Sequence, residues 1–275
     1  MDFIGEIFQY KFLTHAALAC LLCGVACGMI GTYVVCRRLV FLSGGITHAS
    51  FGGIGMAYYF GANPLLGALL FAVLSALGIE TFTARKREDS AIGLLWSLGM
   101  AIGIIFIYLT PGYAPNLMSF LFGNILSVTG TDIFWMGVVD LAILLIFGTM
   151  YHPILFVAFD REYARSQNFP TRTISYLMAT LVAVTIVISI RVVGIVLLIS
   201  LLTIPAVIGN LISKSFGRIL LYGSVIAALS AFAGLYISYQ TNIPSGASTI
   251  FVLTVTLIAV KTITFVRLKR RMKTR

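Results

Sequence analysis

Charge is what this sequence has least of. Acidic and basic side chains together make up 10% of its 275 residues, and only nine are Asp or Glu, where soluble globular chains carry roughly 25% charged residues. A water-facing surface cannot be built from so few. Histidine is scarce as well, with three in the whole chain. No GxxxxGK[ST] phosphate loop occurs anywhere, so ATP hydrolysis by that chemistry is excluded. No second histidine or glutamate stands at metal-protease spacing from a histidine, which disfavours an intramembrane hydrolase. The first residues (MDFIGEIFQYKF) carry acids and lack a basic n-region and a small-residue cleavage site, so the first apolar stretch is expected to be retained.

What is present in their place is apolar. Hydrophobic residues make up 59% of the chain, and the mean hydropathy is +1.02. An all-α, polytopic integral membrane bundle follows, because only helices satisfy every backbone group within a single spanning segment. Polar punctuation divides the chain into about nine spans, near 13–35, 39–60, 65–83, 91–110, 131–150, 173–190, 193–209, 219–239 and 247–266, in one domain covering 1–275. The net charge of +10 does not point to nucleic acid. Arg37 and Arg38, the run Arg85 to Arg87, Arg161, Arg165 and Arg172, Lys214 and Arg218, and the tail from Arg267 all fall on one side of such a bundle. The positive-inside rule makes that side the cytoplasm and puts the N-terminus outside. Arg191 is the exception, at an outer boundary where it can snorkel.

Three connections are more than linkers. Pro111 to Thr131 is apolar but too short and broken for a span, as a re-entrant or surface-lying helix would be. Phe159 to Pro170 (FDREYARSQNFP) alternates charged with apolar residues, as an amphipathic surface helix or a solvated loop would. In Arg191 to Arg218, Pro205 removes a backbone donor inside an apolar run, Ser200 and Thr203 are placed to satisfy freed backbone groups, and the sequence then turns polar and basic.

The most informative segment is FLSGGITHASFGGIGMAY, Phe41 to Tyr58. It puts His48 at membrane depth, on one helical face with Gly44, Gly52 and Gly55. An ionisable group there is expensive unless it lines a path or pairs, whereas the glycines on their own would serve close helix packing. Asp140, mid-way along the fifth span, is open to the same two readings, ligand or hydrogen-bonded acid. Cys20, Cys23 and Cys27 share a stripe beside Gly24, Gly28 and Gly31, which fits small thiols at a close-packed interface or a soft metal site; Cys36 lies at the span's end.

Taken in order, GTYVVCRRLVFLSGGITHASFGG, LMSFLFGNILSVTGTD, FDREYARSQNFP, RVVGIVLLISLLTIPA and IPSGAS resemble the zinc and manganese uptake family of ABC transporter permeases, over about Leu18 to Ile258. The resemblance implies a non-catalytic membrane subunit of a bacterial inner membrane, working as a homodimer among membrane lipids. It further implies two copies of a separate ABC ATPase and an extracytoplasmic metal-binding protein. A divalent metal ion (zinc, manganese or iron) would be the substrate, with no permanently bound cofactor. The segment Gly209 to Gly217 would be the ATPase-coupling helix, with Asn210, Leu211, Ser213 and Lys214 as contacts. One position departs. Family members commonly carry an aspartate four residues before the span-two histidine, and many zinc-type members a histidine in the fourth span; here those places hold Gly44 and, roughly, Ser97. The resemblance makes His48 the metal ligand, and Asp140 is the candidate replacement for the missing carboxylate. A metal-chelate permease, such as one for a siderophore, and a gradient-driven carrier are the alternatives.

Overall fold

The computed structural model describes residues 3–83, 88–111 and 123–273. Eleven α-helices are found among them, with no strand: α1 (Phe3–Gln9), α2 (Lys11–Cys36), α3 (Val40–Tyr59), α4 (Pro64–Thr83), α5 (Glu88–Leu109), α6 (Gly130–Thr149), α7 (Tyr151–Phe159), α8 (Arg161–Ser166), α9 (Thr171–Ile212), α10 (Phe216–Thr241) and α11 (Ser245–Lys273). The run Arg85 to Arg87 and most of the proposed re-entrant segment (112–122) lie outside the described residues.

Helix α9 has 42 residues, about 63 Å if straight, twice the hydrocarbon thickness of a bilayer. It is not straight. Gly194, at φ 77° and ψ 166°, breaks it into 171–193 and 195–212, and only glycine adopts that backbone region without strain. The packing shows that the chain reverses there. Along α2, Arg37 meets Ser175 and Cys27 meets Ser189, so the first half runs antiparallel to α2. Gly31 then lies against the carbonyl of Leu202, which a helix continuing onward could not reach. The two halves are two spans, matching the sequence division at 190 and 193. The second half runs through Pro205 to Ile212, as the span expected over 193–209 does. Thr203 does donate to the backbone, at the Ile199 carbonyl.

Among the described residues, seven helices are long and apolar enough to cross a membrane. Counting α9 as two and adding α3, whose glycine, serine and histidine content dilutes its hydropathy, gives nine spans among the described residues, one for each stretch read from the sequence. The bundle is centred on α9 and α2, with 72% and 67% of their apolar windows buried, against 11% for α11. Small residues bring the central helices together. A β-carbon on Gly24 would stand 2.5 Å from the Ala228 nitrogen of α10, and Gly28 faces Ser224 one turn along, so the GxxxG stripe is an interhelical contact. Cys20, Cys23 and Cys27 are buried beside it.

The ends of the bundle differ. At the basic end, Asp160 caps α8 by accepting from the Glu162 and Tyr163 nitrogens. Arg161 bridges to Glu80 of α4 at 2.5 Å and to Ser175 of α9 at 2.7 Å. The expected amphipathic helix over Phe159 to Pro170 is thus shorter, six residues, and is docked onto the bundle through Arg161 and the buried Ala164. At the opposite end α1 packs Phe3 against Phe232, Tyr236 and Tyr239 of α10. There Thr129 and Asp132 form a capping box for α6, and the second Asp132 oxygen accepts from Arg191 at 2.6 Å. Arg191 therefore pairs with a carboxylate where the sequence suggested snorkelling alone.

Candidate functional site

Helix α3 is the most glycine-rich element, and its glycines face two neighbours. Gly53 meets Gly67 of α4, while Gly52 and Gly55 meet the Gly99 and Gly103 backbone of α5. Residue numbers rise together along the α3–α5 contact, so these two helices run parallel. His48 sits in that contact, half-buried, with its ring stacked on Trp96 of α5 at 4.2 Å between centroids and 17° between planes. Its Nδ1 is buried without a hydrogen-bond partner. The glycines serve close packing, and the imidazole lies within the packed seam with an unused polar atom.

Gly44 explains how Trp96 fits. A β-carbon there would stand 2.8 Å from Trp96 Cζ3. The indole fills the space above His48 that a side chain at position 44 would enter, so the departure at Gly44 has a tertiary counterpart. Sequence reasoning missed Trp96, because the pairing joins positions 48 residues apart on two helices. A bulky aromatic in the fourth span beside a missing side chain in the second was the available signal. Ser97, next to Trp96, is exposed and donates to its own helix at the Gly93 carbonyl.

Asp140 lies elsewhere. It is buried on α6 and lines a small cavity with Cys23 and Ala26 of α2 and Thr185 and Ser189 of α9. Its Oδ2 and the Thr185 hydroxyl have no partner there. No α3 or α5 residue lines that cavity, and His48 and Asp140 are not brought together within the chain. Nor do the thiols form a soft-metal cage: Cys23 and Cys27 approach to 3.7 Å and Cys27 meets Ser189, but among the described residues no three His, Cys, Asp or Glu side chains cluster as metal ligands.

A cavity of about 630 Å³ opens at the end opposite the basic one, between the α3–α4 turn, the 123–127 segment and α9. Asn63, Asn124, Ser127 and Arg191 give it polar walls, and Ile54, Tyr58 and Val187 apolar ones. Such carboxamide and hydroxyl oxygens suit a hydrated cation, with the Arg191 charge offset by Asp132.

The residues proposed for ATPase coupling lie at the other end. Asn210 and Leu211 are on the last turn of α9, and Ser213 and Lys214 are in the three-residue turn before α10. Asn210, Leu211 and Lys214 are exposed, and Ser213 is half-buried. No separate coupling helix forms over Gly209 to Gly217; α9 supplies the polar edge and α10 begins at Phe216. Phe216 packs on Tyr151 and Phe159 of α7, so the α9–α10 turn and the α7–α8 segment form one continuous surface.

The profile of the ABC 3 transport family matches residues 9–264. A membrane protein of Synechocystis is 39% identical over 250 residues, covering 90% of this chain and 89% of that protein. The manganese transport system membrane protein MntC of Halalkalibacterium halodurans is 34% identical over 252 residues, 91% and 86% of the two chains. A chain in the solved structure of PsaBC from Streptococcus pneumoniae in complex with Fab superposes with a TM-score of 0.85 at 28% identity, covering 94% of each chain.

Proposed function

The chain belongs to the ABC 3 transport family, and from that premise we propose that it is the permease subunit through which a divalent metal ion, manganese or zinc, is imported at the expense of ATP hydrolysed by a separate ATPase. The observation that carries this is the 34% identity, over nine-tenths of the chain, to a manganese transport membrane protein, together with a nine-span bundle that lacks a nucleotide-binding motif. Two copies of the chain form the pathway, each with two ends for partners. The polar cavity opposite the basic end receives the ion from an extracytoplasmic binding protein. The surface made by α7, α8 and the α9–α10 turn docks the ATPase in the cytoplasm.

Within this pathway His48 is the metal-contacting residue. Its buried, unpartnered Nδ1 in a glycine-lined seam supports that role, since an imidazole held without a hydrogen bond at membrane depth is otherwise a net cost. One imidazole is an incomplete ligand set, which suits transport: an ion that must leave is held weakly. Asp140 is assigned a structural role as an acid buried among Cys23, Thr185 and Ser189, because its cavity shares no residue with the His48 seam.

The test is uptake of radiolabelled manganese and zinc by cells with and without the gene for this chain, alongside a competing iron–siderophore complex. ATP-dependent uptake of the free ion that vanishes on deletion is expected. Loss of siderophore uptake with free-ion uptake intact would refute the reading in favour of chelate transport.

A further inference from the structure

The basic end carries a site that metal transport does not explain. A cavity of about 310 Å³ lies between the end of α4, α8 and the start of α9, lined by Glu80, Thr81, Arg161, Arg165, Arg172 and Tyr176. Glu80 neutralises Arg161, yet the Arg161 Nε is buried and has no partner. Among the described residues no carboxylate pairs with the other two guanidinium groups. Arg165 reaches only the Thr171 hydroxyl at 3.4 Å, and Arg172 leans over the Tyr176 ring at 5.9 Å. Arg172 also stands in the first turn of α9, where the helix dipole disfavours a cation and favours an anion. Three guanidinium groups against one carboxylate leave the lining with a charge of about +2, and guanidinium groups offer forked donors suited to an oxyanion.

We propose that this cavity binds the phosphate of an anionic phospholipid headgroup. Continuity with an exposed apolar helix face argues for a lipid over a soluble phosphate. Leu66, Leu70 and Leu74 of α4 are 58–65% exposed, spaced at four residues on one helix face. That face continues through Gly78, where a β-carbon would meet nothing within 4 Å, to Thr81 at the cavity wall. An acyl chain lying along this stripe delivers its headgroup to the guanidinium groups at the membrane boundary. Basic pockets between spanning helices on the cytoplasmic side are a recurrent way of holding acidic lipids. Bound there, the headgroup ties α8, itself part of the surface proposed to dock the ATPase, to α4 and α9.

The test is native mass spectrometry of the full chain in detergent, titrated with phosphatidylglycerol or phosphatidylcholine. The wild type is expected to retain phosphatidylglycerol preferentially. Arg165→Ala/Arg172→Ala should weaken that retention at least ten-fold without changing phosphatidylcholine, while Arg165→Lys/Arg172→Lys, which keeps the charges but not the forked donors, should restore only part of it. Unchanged melting temperatures keep misfolding from imitating the result. Equal retention by wild type and the alanine variant, or no preference between the lipids, would overturn the proposal. Displacement of the lipid by millimolar inorganic phosphate would assign the site to a soluble anion instead. Retained lipid with lost ATPase co-purification would assign the arginines to the protein partner.

Discussion

Replacing Gly99 by alanine should separate α5 from α3 at the level of His48. A β-carbon on Gly99 would stand 2.5 Å from Ala49 Cα and 2.8 Å from the His48 carbonyl oxygen. Both are backbone atoms, so no side chain can swing aside. Restoring ordinary carbon contact distances requires the helices to part by roughly 1 Å, an overpacking that costs about 1–3 kcal/mol. Gly93, on the same helix, is the matched control, because a β-carbon there meets nothing within 4 Å. Both substitutions gain the same helix propensity, about 0.5–1 kcal/mol, so the difference between them isolates the overlap. In detergent-solubilised protein followed by fluorescence-detected size exclusion after heating, Gly99→Ala should melt roughly 3–10 °C below Gly93→Ala. The same shift should loosen the His48–Trp96 stack and lower metal uptake in Gly99→Ala alone. Equal melting temperatures for the two variants would refute the close α3–α5 seam.

Two further outcomes follow from the ends of the bundle. Asn210→Arg together with Ser213→Arg, on the exposed edge of α9 and the turn after it, should cut ATPase co-purification and uptake at least ten-fold while the permease still folds, because these side chains sit at a surface and not in the core; intact transport would move the coupling surface to α7 and α8. A single cysteine placed in the C-terminal tail of a variant lacking the four native cysteines should resist membrane-impermeant maleimide in intact cells and react after permeabilisation. Labelling from outside would invert the topology taken from the lysine and arginine distribution.

Much of the fold was legible because bilayer thickness and hydropathy constrain span length so tightly. The break at 190–193 was readable from Arg191 in an apolar run, although the residue that makes it is Gly194, through its positive φ. The glycine spacing of α3 announced a close-packed face and put His48 on it. The partners of that face were not legible. Trp96 over His48, Glu80 with Arg161 and Asp132 with Arg191 each join positions on different helices, and periodicity within one helix carries no information about which neighbour it meets. Where Asp140 lies relative to His48 was not legible for the same reason: α6 packs on α2 and α9, while α3 packs mainly on α4, α5 and α9. The cavity of arginines at the basic end was visible in sequence only as a charge cluster that the positive-inside rule already explained.

The central claim is that the metal ion passes His48. The most direct measurement is ATP-driven uptake of radiolabelled manganese or zinc into proteoliposomes holding the permease, its ATPase and the binding protein, comparing wild type with His48→Ala at matched ATPase assembly. At least a ten-fold loss of uptake with assembly unchanged is predicted, and wild-type uptake should itself decline as the medium is acidified and the imidazole lone pair is protonated. An assembled His48→Ala transporter that imports metal at the wild-type rate would contradict the account and leave His48 as a packing residue of the α3–α5 seam.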